Sequence, residues 1–196
     1  MTPRLWVFAG PNGAGKSTIV DHYVDVPIPI INPDNIARTL PPEFGDTARR
    51  LQSGKRAVED RMTLLGARRS FGIETTLTGN SELALMRNAV EAGYQVNLVY
   101  VGIRDVSHSI GRVRERVSRG GHDVLIDDIS RGFDRSLTNL AIAVQARAAP
   151  HSGSGIRNTK KARWRIATGP CPSSEGDVVV VRHRHRSGSL LREKSP

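Results

Sequence analysis

Apolar residues recur along this chain in two kinds of pattern, and their order predicts the fold. Residues 5–9 and 94–101 are nearly continuous apolar runs, as expected of buried strands. Shorter runs at 28–31, broken early by Pro27 and Pro29, and at 71–76 read as two further strands. Between them, residues 18–23 can continue as a helix after the first strand. Residues 46–69 place Leu51, Val58, Met62 and Leu65 at helical intervals, with the arginines on a solvated face. Residues 81–92 form another helical segment that ends at Gly93, a fitting C-cap. The order βαβαβαβ predicts an α/β fold: a parallel, three-layer sheet with right-handed crossovers.

The connection after the first strand carries the most specific chemistry. Gly10-Pro11-Asn12-Gly13-Ala14-Gly15-Lys16-Ser17 satisfies G-x-x-x-x-G-K-[ST], and Thr18 continues it into the helix. Glycines let the backbone curl so that its N–H groups face phosphate oxygens, and a helix N-terminus adds partial positive charge. In such a loop Lys16 reaches the β- and γ-phosphates, and the Ser17 hydroxyl ligates Mg²⁺. A strand before the loop and a helix after it separate the motif from a chance glycine-rich turn. ATP with Mg²⁺ is therefore the expected nucleotide, held by residues 10–18.

The second strand ends in Asn32-Pro33-Asp34-Asn35. Ligands of open α/β sheets bind at the carboxyl ends of the strands. There Asp34 has two readings: it takes a proton from a substrate hydroxyl or holds Mg²⁺, or it caps the helix beginning near Asn35. The third strand ends on Glu74, Thr75 and Thr76. Glu74, with Thr75 beside it, either bonds the hydroxyls of an acceptor or is an exposed strand terminus.

Arginines crowd the segment 110–135. Arg112, Arg116 and Arg119 share one helix face, while Arg114 points elsewhere. Gly120-Gly121-His122 follows, then Arg131 and Arg135. Two arginine-bearing helices about a Gly-Gly joint predict a lid that closes over a triphosphate, where arginine stabilises transferring charge. The competing reading is a basic surface with an ordinary helix–helix turn; the phosphate loop upstream favours the lid.

Charge divides the chain in two. The net charge is +10, yet residues 1–146 carry 18 Lys and Arg against 16 Asp and Glu, and residues 147–196 carry 11 against 3. Residues 1–146 therefore read as an enzyme-like domain and 147–196 as a basic, poorly ordered tail. Only residues 178–181, four valines, look like a strand within it. His183 and His185 sit in an arginine run and read as solvated rather than metal-binding. The lone Cys171 rules out an intrachain disulfide and points to a reducing cytoplasm, and no apolar run approaches a membrane span.

Taken in order, these motifs resemble the zeta-toxin-like P-loop kinases over roughly residues 4–142. The matching pieces are Ala9 to Thr18, Ile31-Asn32-Pro33-Asp34, Phe71 to Leu77, Gly93-Tyr94-Gln95-Val96, Arg116 to Val124, and Arg131 to Leu140. The resemblance implies that Asp34 is the base for an acceptor hydroxyl and that Glu74 helps hold the acceptor. It also implies that Lys16, Arg116, Arg119, Arg131 and Arg135 grip the triphosphate, with Lys16, Arg119 and Arg131 acting in catalysis. A small hydroxyl acceptor such as UDP-N-acetylglucosamine and an antitoxin protein are the partners it suggests. Leu125 stands where relatives commonly have proline, and Gly132 lies inside the lid helix. After Ala148 the final strand of such kinases is missing, so the tail is expected to be a replaced or out-of-register end. That loss predicts an uncovered sheet edge unless residues 178–181 fill it.

Two other classes compete. One is an ATP-binding remnant without turnover. The other is a nucleic-acid binder acting through the tail, whose affinity would fall steeply with salt and vanish on deletion of 147–196. Trp164 is the tail's one aromatic, which offers little for base stacking, so solvated charge is the preferred reading.

Overall fold

Parallel pairing of the first strand with two others organises the molecule. The computed structural model describes residues 1–23, 27–102, 111, 118, 126–145, 163–170 and 177–184. Its strands are β1 (Arg4–Ala9), β2 (Ile30–Ile31), β3 (Phe71–Thr75), β4 (Gln95–Val101), β5 (Arg163–Pro170) and β6 (Asp177–Arg184). Its helices are α1 (Lys16–Tyr23), α2 (Pro33–Thr39), α3 (Gly45–Gly66), α4 (Asn80–Glu91) and α5 (Ile126–Gln145), with a 3₁₀ turn at Pro42–Phe44. The sheet order is β2-β3-β1-β4-β6-β5. β2, β3, β1 and β4 run parallel, as the alternation of strands and helices requires. The prolines keep β2 short, but the Pro29 carbonyl still accepts the Gly72 N–H at 2.8 Å.

Two apolar layers flank the sheet. On one face Leu5, Val7, Phe71, Ile73, Val96, Leu98 and Tyr100 pack with residues of α3, α4 and α5. On the other, Trp6, Phe8, Val99 and Val101 pack with Ile19 and Val20 of α1. Strand alternation thus sorts the continuous apolar runs onto both sides. Trp6 and Phe8 stack with ring centroids 6.1 Å apart, and Phe71 meets Tyr94 edge-on at 6.2 Å.

Of the expected face of α3, only Leu65 is buried. Leu51, Val58 and Met62 are exposed, and the buried positions are Ser53, Ala57, Arg61 and Leu65. The small Ser53 and Ala57 let the helix lie close to its neighbours, and Arg61 reaches the buried Glu82 of α4 at 3.3 Å. Apolar spacing alone marked the neighbouring stripe, because it gives no weight to a buried ion pair.

Tyr94 ties down the end of α3. Its hydroxyl lies 3.0–3.2 Å from the carbonyls of Leu64, Leu65 and Arg69, which share its single proton. Burial pushes the Tyr94 phenol up from the ordinary 10.0, with a smaller downward pull from Arg68. Burial also raises Tyr100, and its hydrogen bond with Ser136 works the other way. Both phenols stay protonated in the fold at a pH where the unfolded chain begins to ionise. Their contribution is therefore complete below about pH 10 and declines above it. Melting temperatures measured between pH 8 and 11 should fall above pH 10, and less so in Tyr94→Phe relative to its own value at pH 8.

The tail holds two strands where the sequence suggests poor order. β6 pairs antiparallel with β4, Val178 opposite Val101 and Val181 opposite Leu98, and β5 pairs antiparallel with β6. The expected bare edge on β4 is therefore covered, and the strand that covers it contains the four valines. β-branched residues suit a strand.

Candidate active site

The strand order places the phosphate loop. From β1 the chain builds β2 and β3 on one side of the sheet and β4 on the other. This reversal opens a crevice at the carboxyl end of β1, the usual ligand position of open α/β sheets. Ala9 pairs with Thr75 and with Tyr100, and Ile31 pairs with Ile73, so the ends of β1, β2, β3 and β4 share one edge.

Gly10 leaves β1 with φ +142°, and a Cβ built there would lie 2.3 Å from the Val101 carbonyl oxygen. Any side chain must therefore displace backbone of β4. Gly10→Ala should cost about 2–3 kcal/mol and weaken nucleotide binding, as urea unfolding and nucleotide titration would show. Gly13 and Gly15 also take positive φ, 75° and 87°, and α1 begins at Lys16. The Lys16 ammonium donates to the carbonyls of Gly10 at 2.8 Å and Pro11 at 2.9 Å, and so folds back over the loop.

Ser17 reveals the partner of Glu74. Strand alternation turns Glu74, opposite Phe8 in register, to the α1 side of the sheet. There the Ser17 hydroxyl donates to Glu74 Oε2 at 2.7 Å. Glu74 is 8% exposed, so it is no exposed strand terminus. It meets the candidate metal-binding hydroxyl directly. The Thr75 hydroxyl is turned into its own loop and accepts the Leu77 N–H at 3.0 Å.

Asp34 stands at the same edge, one element away. Asn32 is the N-cap of α2, its Oδ1 accepting the Asp34 N–H at 2.9 Å, and Pro33 opens the helix. The capping reading of Asp34 is thereby corrected: its carboxylate lies in the first turn on an exposed residue. A short polar side chain before Pro at N1 makes the better cap, which leaves the carboxylate to face outward.

Of the arginines, Arg131 and Arg135 lie on exposed positions of α5. Arg112, Arg114, Arg116 and Arg119 and the Gly-Gly joint lie outside the described residues. α5 runs without interruption through Gly132. The structure adds Asn139, which lies in the Arg131–Leu140 motif but has no role assigned from sequence. It is 8% exposed, and its side chain donates to the Leu77 carbonyl at 2.8 Å and the Gly79 carbonyl at 3.3 Å.

The residues present fit a nucleotide and Mg²⁺. The loop supplies backbone donors at a helix N-terminus and a lysine, and Ser17 with Glu74 supplies oxygens of the kind Mg²⁺ takes. Among the described residues no helix is long and apolar enough to cross a membrane.

Similar proteins agree with this geometry. An uncharacterised protein of Haemophilus influenzae is 33% identical over 131 residues, covering 63% of this chain and 93% of that protein. A chain of the Pnkp1/Rnl/Hen1 RNA repair complex shares the fold with a TM-score of 0.57 at 17% identity. That match covers 72% of this chain and 46% of the other, so this chain spans under half its length. A proposed kinase from Chloroflexus aurantiacus matches with a TM-score of 0.50 at 15% identity, over 79% of this chain and 85% of that one. The family AAA_33, an AAA domain, matches residues 5–131. With that match across most of its length, this chain belongs to the AAA_33 family of AAA domains.

Proposed function

We propose that this protein transfers the γ-phosphoryl group of ATP to a hydroxyl of an acceptor. The observation that carries the reading is the arrangement at one sheet edge: Lys16 over the loop, Ser17 on Glu74, and an outward Asp34 that is not consumed in capping. Asp34 takes the proton of the acceptor hydroxyl as its oxygen bonds to the γ-phosphorus. The bond from that phosphorus to the bridging oxygen breaks, and ADP departs with the electron pair. Lys16 turns from the loop carbonyls to the β- and γ-phosphates, and Arg131 and Arg135 counter the charge that spreads over the transferring oxygens. Mg²⁺, when bound by Ser17, neutralises phosphate charge, and Glu74 orients that hydroxyl.

Glu74→Gln keeps the shape but removes the charge that holds Ser17. The Mg²⁺ concentration for half-maximal turnover should rise about tenfold, the low end of the usual cost of altering a supporting ligand shell. An Mg²⁺ titration of ADP release checks it.

Two acceptors come first in a screen with γ-labelled ATP. UDP-N-acetylglucosamine follows from the sequence resemblance, and a 5′-hydroxyl oligonucleotide follows from the fold shared with the RNA repair chain. Nucleosides and antibiotics complete the panel. Labelled acceptor, lost in Asp34→Asn, supports the reading. Label transfer that is the same in wild type and Asp34→Asn contradicts it.

A further inference from the structure

The loop after β3 is held in an unfavourable shape by a residue from another element. Leu77 adopts φ +59°, in the left-handed region that a bulky side chain rarely enters, and is fully buried. Local bonds support that turn: the Thr75 hydroxyl accepts the Leu77 N–H, and the Thr76 and Thr78 hydroxyls lie 3.0 Å apart. The bond from outside comes from Asn139 of α5, whose Nδ2 bridges the Leu77 and Gly79 carbonyls.

Beside that amide, α5 lies close to the same loop at one more point and to β4 at another. A Cβ on Gly132 would come within 3.6 Å of the Thr78 methyl. The hydroxyls of Ser136 and Tyr100 lie 3.0 Å apart, and both residues are buried. Arg131, Arg135 and Asn139 recur every four residues, so they form one column along the helix. The helix that carries the arginines is therefore fastened, one turn further along, to the loop that begins just after Glu74.

We infer that Asn139 is a positioning residue that makes Glu74 and the arginine column one mechanical unit. Its amide fixes the loop from Leu77 to Gly79, the loop fixes the end of β3, and Glu74 is thereby held at Ser17. A displacement of α5 pulls on the loop through two carbonyls and so reaches the Ser17–Glu74 contact. An amide serves here because it offers two N–H donors to two carbonyls, which neither a carboxylate nor an apolar side chain can do. The inference rests on the kinase reading above, since it gives Ser17 and Glu74 a role at Mg²⁺.

The test uses the full chain and a non-hydrolysable ATP analogue, so that it does not depend on turnover. The readout is the Mg²⁺ concentration at which the analogue produces half its maximal rise in melting temperature. Asn139→Ala removes the bridge, and Asn139→Asp keeps the shape while replacing the donor with an acceptor. Either should raise the Mg²⁺ midpoint about fivefold or more. Combined with Glu74→Gln, neither should raise it further, because both substitutions act on one contact. A purely structural amide would lower the ligand-free melting temperature and leave the Mg²⁺ midpoint at the wild-type value; that result overturns the inference. Effects that multiply in the double variant overturn it too. A wild-type protein that shows no Mg²⁺-dependent shift overturns the kinase reading, and the positioning role with it.

Discussion

Lys16→Ala should abolish phosphoryl transfer, lowering the rate by at least about 10²–10³-fold. Two observations and the charge of the ligand set that size. Lys16 opens α1, so the macrodipole and the loop's donors converge beside it. Its ammonium already spans two loop carbonyls, those of Gly10 and Pro11, which shows that the side chain lies along the loop. A triphosphate brings more negative charge than those carbonyls offer, and charge-assisted bonds are about twice as strong as neutral ones. The alanine variant loses the one strong positive charge that the loop itself provides. It also gives up bonds that tie the loop to itself, so stability should drop slightly, by about 1 kcal/mol. Steady-state rates of ADP release, beside urea unfolding of the same preparations, separate the two effects.

Asp34→Asn should lower the transfer rate by about 10²–10⁴-fold while leaving nucleotide binding and stability near the wild-type values. The size is that of a general base removed from a step that needs one. Selectivity comes from the capping geometry: Asn32, not Asp34, closes the N-terminus of α2. Asn32→Ala should cost about 1 kcal/mol of stability, and Asp34→Asn should not. A loss of rate with an unchanged melting temperature therefore assigns the carboxylate to chemistry. A parallel loss of both would return Asp34 to a structural role.

Local pattern made much of this fold legible. The apolar runs of β1 and β4, the glycine loop between β1 and α1, and the Gly93 turn after α4 all carry their information within a few residues. What local pattern could not reveal depends on distant partners. Asn32 and Asp34 are both competent caps, and which one acts is decided by Pro33 at the first helical position. Glu74 reads as a strand end until the register with β1 turns it toward α1 and Ser17. The buried face of α3 follows from the Arg61–Glu82 pair rather than from its most apolar stripe. The valines of β6 join β4 across a long stretch of chain, and no local rule specifies such a pairing. Asn139 is the clearest case, since its role rests on two carbonyls about 60 residues earlier.

The proposed phosphoryl transfer depends first on binding of Mg-ATP by the loop at the end of β1. The most direct test is a thermal melt of the full chain with and without Mg-ATP, with Lys16→Ala as control. Ligand at about 100 times its dissociation constant should stabilise the fold by about 2.7 kcal/mol. A cooperative transition that rises with Mg-ATP in the wild type, and does not move in Lys16→Ala, is the predicted result. A cooperative transition that Mg-ATP leaves in place would rule out the proposed nucleotide site.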